Sequence, residues 1–522
     1  MNLAINQPSE QSPQFLSQRS ASLVNWIRWG EEARLKAVRQ NQPLFIHLAY
    51  EGSSWCRRMW SESFCDPAVA EFLNTHFVSI YLDRDERPDL EAFCFQVVQE
   101  MQSYAGWPLN VFLRPDQKPF FGGSYFPTKS QFGQPGFLEL LQGIQRAWSL
   151  QEASIQQNAD ALSNALVQSS LFFEAQDKIS NRLPQLAVKN LHQIFDQEHG
   201  GFGKAPKFFH CEALHLLLES GEPSSLDFVE KTLRQMSDSP IRDQVRGGFY
   251  RFAAEADWSK PSSEKTLADN AFLMRLFAHI NRLRPDESYA RRAEEIHAWS
   301  ESVLKRGPAG YSSMTVEEAG VLSWVDQKVL TSVNALLITA WAQAGREFDR
   351  PEWIQKAQAQ LEFYKDVFLR RGDLPHLCLE SARGEFGFLE DAAFMAEAAM
   401  AVFGVSGRVE DLDFAVQLTE HALQKFEDSS KGGFFVCPQD RLDLWINRVD
   451  IQDSAQPSAY AVFCDVLWAL YRETGEMRYA SSAERAIRRI LKTAELKNGG
   501  YLRLARVVQK HQRDEINASS FS

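Results

Sequence analysis

Apolar and polar positions follow two different rhythms along this chain, and the change falls near residue 180. Before it, short apolar runs rich in β-branched and aromatic residues separate helical stretches, the mark of a mixed α/β segment. Residues 30–42 predict an amphipathic helix and residues 43–50 a buried strand. Residues 57–62 start a helix, and residues 67–74 continue as one, with Pro67 in the first turn and Asp66 as its cap. A second strand covers residues 77–83, a helix residues 88–101, and a hairpin residues 109–114 and 119–126, turned through Pro115 and Asp116. The order strand–helix–strand–helix–strand–strand, with Cys56 after the first strand and Trp107-Pro108 before the third, predicts a thioredoxin-like domain. A cis bond is expected at Pro108, facing the cysteine loop.

Beyond residue 181 the strand signals nearly vanish and helices come in pairs: 187–195 with 212–220, 266–283 with 288–304, 329–346 with 352–369, 390–405 with 409–426, and 458–474 with 481–493. A glycine–aromatic turn returns six times, ending at Phe202, Phe249, Tyr311, Phe388, Phe434 and Tyr501. Six turns at this spacing imply about six αα units, and an acidic, aromatic-rich chain favours their closure into an (α/α)6 toroid. The domain plan is thus an arm over 1–24, a thioredoxin-like domain over 25–150, a helical linker over 151–180 and a barrel over 181–522.

Composition narrows the function classes. A net charge of −12 argues against nucleic acid or an anionic membrane as partner. No apolar run is long enough to span a bilayer, and residues 1–18 lack a signal-peptide pattern. The seven cysteines are scattered and odd in number, which fits a reducing compartment, so a cytoplasmic location is expected. Metal-ligand spacing is lacking: the Asp83-Arg84-Asp85-Glu86-Arg87 run alternates in sign like a solvated loop, and His192, His199, His210 and His376 default to structural or surface roles. No metal and no cofactor is expected.

Cys56 is the first candidate for chemistry. It follows a strand, opens a helix and is flanked by Arg57 and Arg58, all of which favour an accessible, activated thiolate. Ser53 occupies the place a second cysteine would need, so the Ser53-Ser54-Trp55-Cys56 loop lacks a dithiol. Cys65 and Cys94 read as packing residues.

Further motifs give the chain a resemblance. They are Trp26-Ile27-Arg28-Trp29-Gly30-Glu31-Glu32-Ala33, Glu62-Ser63-Phe64-Cys65-Asp66, Gly106-Trp107-Pro108-Leu109, Lys328-Val329-Leu330-Thr331-Ser332 and Leu389-Glu390-Asp391. With them the chain resembles the spermatogenesis-associated protein 20 family, a thioredoxin-like domain fused to a barrel of the six-hairpin glycosidase and N-acylglucosamine 2-epimerase type. Departures from the family pattern accompany the match. Cys-His-Trp-Cys-His stands here as Ser53-Ser54-Trp55-Cys56-Arg57, a family histidine is Ser262, and large aromatics are replaced by Ala268, Val333 and Ala392. Asparagine of a Pro-Ser-Gly-Asn motif becomes Tyr460. The polar residues that remain, Glu264, Lys265, Asp269, Asn270, Asn334, Glu390 and Asp391, are the expected pocket at the barrel mouth.

The favoured reading is a monothiol redox or binding role around Cys56, with Ser53, Trp55, Arg57 and Pro108 as its loop neighbours, and a barrel eroded to a binding site. Its partners would be a protein thiol, or a small polyhydroxyl or cationic ligand. The alternative is a carbohydrate-active enzyme, a glycosidase rather than an epimerase, using Glu264 or Asp269 with Glu390 or Asp391. The competing role of these carboxylates is to cap helix ends.

Overall fold

A computed structural model describes residues 22–102, 105–131, 133, 135–318, 320–378, 386–440, 443–497 and 499–520. The expected N-terminal arm lies almost wholly outside them. The chain divides into two compact units, residues 1–172 with 440–448, and residues 173–439 with 449–522.

In the first unit, α1 (Glu31–Gln40) leads into β1 (Leu44–Ala49), then α2 (Ser54–Met59), α3 (Pro67–His76), β2 (Val78–Asp83) and α4 (Pro88–Met101). The hairpin β3 (Leu109–Leu113) and β4 (Pro119–Gly123) is followed by α5 (Phe137–Leu150) and α6 (Glu152–Leu171). The sheet order is β2-β1-β3-β4, with β1 parallel to β2 and β3 antiparallel to both its neighbours. This is the thioredoxin-like arrangement expected from the order of elements. Side chains alternate across β1, so Leu44, Ile46 and Leu48 enter an aliphatic core with Val97, Val111 and Leu113. Phe45 and His47 point to the other face, into rings from Trp26, Phe64 and Tyr81. Asp66 caps α3, accepting from the amides of Ala68 and Val69 at 2.8 and 3.1 Å. The Trp107–Pro108 bond is cis. Sequence reading assigned residues 440–448 to the barrel; they pack with the first unit, where Asp443 takes Arg87 at 3.1 Å and its carbonyl accepts from Trp29 Nε1.

The second unit carries α7 (Arg182–Ile194), α8 (Cys211–Ser220), α9 (Pro223–Asp238), α10 (Leu267–Leu283), α11 (Glu287–Trp299) and α12 (Thr331–Glu347). It continues with α13 (Pro351–Arg371), α14 (Leu389–Ser406), α15 (Val409–Phe426), α16 (Ala459–Thr474), α17 (Met477–Lys497) and α18 (Leu502–Ser520). Helices α8, α10, α12, α14, α16 and α18 touch in that order, and α18 returns to α8. They form a closed inner ring. The other helices lie outside it, and α7 packs against α18, so the first outer helix is partnered by the last inner one. Two of these helices, α9 and α18, are absent from the sequence pairing, which therefore set α7 with α8. The toroid itself stands as expected.

Each inner helix leads to the next outer one through a short turn, such as Gly221 and Glu222 between α8 and α9. Each outer helix returns through a longer loop that carries a glycine–aromatic turn. All six long loops therefore gather at the N-terminal ends of the inner helices and make that end the mouth. Small strands are the part the sequence hid: β5 (Lys207–Phe208) pairs with β6 (Phe252–Ala253), and β7 (Glu264–Thr266), β8 (Met314–Glu318) and β9 (Val321–Val325) make a three-stranded sheet within these loops. No described helix is long and apolar enough to cross a membrane.

Candidate functional site

The redox loop is built more tightly than the sequence implied. Helix α2 starts at Ser54, two residues before the cysteine, because Ser53 is its cap and accepts the Cys56 amide at 3.3 Å. That places Cys56 inside the first turn, fully buried, and not at an accessible junction. The expectation of an exposed thiolate is corrected here. Arg57 instead donates to the carbonyls of Glu51 and Gly52 at 2.6 and 3.2 Å, and Arg58 pairs with Glu62 at 2.9 Å. Trp55 is the exposed member, half of its surface open, with its ring 5.0 Å from that of Tyr125. Pro108 is buried. None of the seven cysteines is in a disulfide, and Cys65 alone is not buried.

At the barrel mouth the candidate residues sort by what holds them. Three loops repeat one device, an aspartate four residues before a Gly-Gly-Phe turn: Asp196, Asp243 and Asp428. The aspartate caps the turn amides, and a buried cation bonds both its carboxylate and the first glycine carbonyl. Lys207 does so at Asp196 (2.7 Å) and Gly200 (2.8 Å), and Lys265 at Asp243 (2.6 Å) and Gly247 (3.0 Å). Arg489 does so at Asp428 (3.0 Å) and Gly432. Lys265 is thus the cation of a turn, and Glu317 takes it at 3.1 Å as well. Its neighbour Glu264 pairs with Arg251 at 2.7 Å.

Asn270 and Asn334 share a second device. Each sits in the first turn of an inner helix and bonds the backbone N–H and C=O of the turn aromatic, Phe249 for Asn270 and Tyr311 for Asn334, within 2.8–3.0 Å. Asp391 accepts the Phe388 amide at 2.9 Å in the same way. Tyr460 stands against Gly433 and donates to the Ala486 carbonyl at 2.7 Å. Asp269 accepts from the Thr266 hydroxyl at 2.6 Å, and that hydroxyl caps α10 by accepting the Asp269 amide at 3.2 Å. These residues share the mouth, but they are spent on its loops.

Glu390 is different. Ser332 Oγ donates to it at 3.0 Å, and His376 Nδ1 lies 3.7 Å away, itself 3.0 Å from Asp391. His376 is buried and was assigned only a default role by the sequence; its carboxylate partners are distant in sequence, so no spacing announced it. Burial pushes the Glu390 carboxyl up to about 7; Asp391 adds to this, while His376 and the Ser332 hydroxyl oppose it. Its side chain keeps 26% exposure, so it is reachable. His376, Glu390 and Asp391 hold their ligand atoms within 4.8 Å of one another, a set that fits a divalent cation in donor type. The Asp391 oxygens are already committed to two backbone amides and to His376, which makes the set a hydrogen-bonded cluster first.

Below the mouth, the lumen of the ring is ionic. Arg275 of α10 and Arg503 of α18 both reach Glu397 of α14, at 3.2 and 2.8 Å. Neither helix is a ring neighbour of α14, so these bonds cross the lumen and form its floor. Glu397 is held down at about 2 by its two arginines against the cost of burial. Seven residues are close to two helical turns, so Glu390 lies on the same face of α14 as Glu397, about 10 Å nearer the mouth. None of the floor residues was singled out from the sequence; charged residues inside helices otherwise read as solvent-facing.

The chain is similar to several known proteins. The family model Thioredox_DsbH, described as a protein of unknown function (DUF255), matches residues 5–167. Spermatogenesis-associated protein 20 of Mus musculus is 25% identical, over 90% of this chain and 75% of its own. The Homo sapiens protein is 26% identical, over 89% and 76%. Among solved structures, a sugar epimerase from a ruminal bacterium aligns with TM-score 0.48 at 14% identity, covering 59% of this chain and 84% of its own. A D-mannose isomerase aligns with TM-score 0.49 at 10% identity, covering 64% and 96%. Over nine-tenths of its length the chain is similar to spermatogenesis-associated protein 20, and it carries both the thioredoxin-like unit and the closed helical ring that this resemblance implied.

Proposed function

We propose that the barrel mouth is the functional site, and that Glu390 is a proton-donating carboxyl acting on a small polyhydroxylated molecule. The observation that carries this reading is a reachable glutamic acid held up to about 7 over a polar lumen, while Glu264, Lys265, Asp269, Asn270 and Asn334 are tied into loops. A general acid near its operating pH needs this combination of reach and raised proton affinity. Asp391 and His376 act through Glu390 as positioning residues. On this reading the reaction is hydrolysis or isomerisation at a sugar-like centre. A screen of glycosides and free sugars tests it. Turnover should fall by a factor of about 100 or more in Glu390→Gln, the range for removal of a general acid. Full activity in that variant would end the proposal.

A second reading rests on Trp55. Half-exposed beside Tyr125 and Arg58, it suits the thioredoxin-like unit to docking a partner without thiol chemistry. Cys56 has no part in this, because its sulfur is buried. Loss of a captured partner on Trp55→Ala, with none on Cys56→Ser, is the expected result; the reverse would restore the redox role.

A further inference from the structure

On the outside of the ring, helix α7 has one face left open. Its neighbour α9 meets it only at its end: His192 Nε2 lies 2.7 Å from Ser225 Oγ, and the rings of Phe195 and Phe228 stack at 3.9 Å. From there α9 follows the loop beyond α7, where Thr232 Oγ1 accepts the Gly201 amide at 2.8 Å. The turns from Asn181 to Lys189 therefore have no part of α9 beside them, and a cavity of about 570 Å³ opens along that face. Two rows of α7 side chains line it. Pro184, Val188 and His192 form one, and Asn181, Gln185, Lys189 and Gln193 the other. Each row steps by four residues, so its members follow one ridge of the helix about 6 Å apart. Gln509 of α18 also lines the cavity, and its Oε1 is buried and accepts no hydrogen bond among the described residues.

The polar row is unused by the fold. Among the described residues the carboxamides of Asn181, Gln185 and Gln193 make no hydrogen bond and Lys189 makes no ion pair. Glu222, the acid of the cavity, has His192 at 3.6 Å, which leaves Lys189 as the cation without a counter-charge. A carboxamide offers a donor and an acceptor side by side, the match for a peptide unit. This chain already uses it so, since Asn270 and Asn334 each bond the N–H and C=O of one residue. The spacing fits as well. An extended peptide presents the same edge every second residue, about 6.6–6.8 Å, close to the step of about 6 Å along the row. A repeat of this kind suits a polymer, and one cation beside Glu222 is too little positive charge to hold a nucleic-acid strand.

We propose that the α7 groove docks an extended peptide segment of a partner protein, its backbone on Asn181, Gln185 and Gln193 and an acidic side chain against Lys189. A peptide N–H meets the Gln509 acceptor, and an apolar side chain covers Pro184 and Val188. This site goes beyond the reading of the barrel mouth and does not depend on it.

Arrays of acetylated heptapeptides, with glutamate or lysine at the centre and the other positions varied, test it when probed with the full chain. Glutamate-centred peptides should be retained and lysine-centred ones should not. The strongest sequences are then titrated by fluorescence anisotropy. Methylating alternate backbone nitrogens of a retained peptide should weaken it at least tenfold in one of the two alternations, the one whose edge faces the carboxamides. Lys189→Glu should reverse the charge preference, an outcome that a merely structural role would not give. Gln185→Leu should weaken binding about tenfold, the worth of one hydrogen bond. Both side chains are exposed, so both variants should fold, and thermal melts check this. Absence of a charge preference, binding that ignores both variants, or indifference to methylation at every position would each overturn the site. A chain that dimerises, and that Lys189→Glu makes monomeric, would also overturn it by giving the groove to a second copy.

Discussion

Single side chains decide most of what the mouth can do, and Lys265 shows how. Buried and bonded to Asp243, Glu317 and the Gly247 carbonyl, it balances two carboxylates. Lys265→Met leaves the buried Asp243 without its cation, while Glu317 keeps Arg246 at 3.1 Å, so chemical denaturation should show a loss of about 3–5 kcal/mol, the range for breaking a buried pair. Asn334→Ala removes the bonds to Tyr311 and to the Leu330 carbonyl; a loss of about 2–3 kcal/mol is expected in the same assay. A neutral result in either variant would return these residues to the list of site candidates. Among thiols, Cys65 should alkylate first under native conditions, ahead of the buried Cys56, as mapped by mass spectrometry after brief iodoacetamide treatment.

At the scale of elements, the alternation of long loops and short turns places all the chemistry at one end of the ring. Helix α14 carries the consequence, since its first turn holds Glu390 and Asp391 and its third reaches the floor at Glu397. Burial raises both Glu390 and Asp453 to about 7, the latter with help from the nearby Glu212 charge. A carboxyl whose folded value lies above its unfolded one holds its proton more tightly when folded. Between pH about 4.5 and about 7 these two carboxyls bind more protons folded than unfolded, so their contribution to stability falls as pH rises, while the buried His47, His215 and His279, lowered by burial, contribute in the opposite sense below about 6.5. Glu390→Gln should remove about 1–3 kcal/mol of that slope and leave the share of Asp453, read from urea midpoints across the window. An unchanged slope would mean that Glu390 is already ionised.

Closure is the property of the whole molecule. The ring is sealed only where α18 meets α7 and α8, so the last helix in the sequence completes the first hairpin. Truncation after residue 497 should open the lumen, leave Asp465 and Glu212 without their arginines and Glu397 with Arg275 alone, and abolish a cooperative melt of the second unit. A truncated chain with an unshifted midpoint would show that the ring does not depend on its seal.

Local pattern was enough for most of the elements, though not for α9, α18 or the small strands of the second unit. The period-two run of β1, the Asp66 cap of α3, the proline before β3 and the recurring glycine–aromatic turns are short-range signals, and each marks its element where it stands. The fold class follows from their order. Tertiary structure decided the sites, because contacts among distant residues leave no local mark. It buried Cys56 behind a serine cap and turned the asparagines into loop clamps. It joined His376 to Glu390 and Asp391 and sent the charges of α10, α14 and α18 inward across the lumen. A buried ion pair and a solvated one read alike in sequence; only the closed ring, which buries Arg275, Glu397 and Arg503, gives them different meanings.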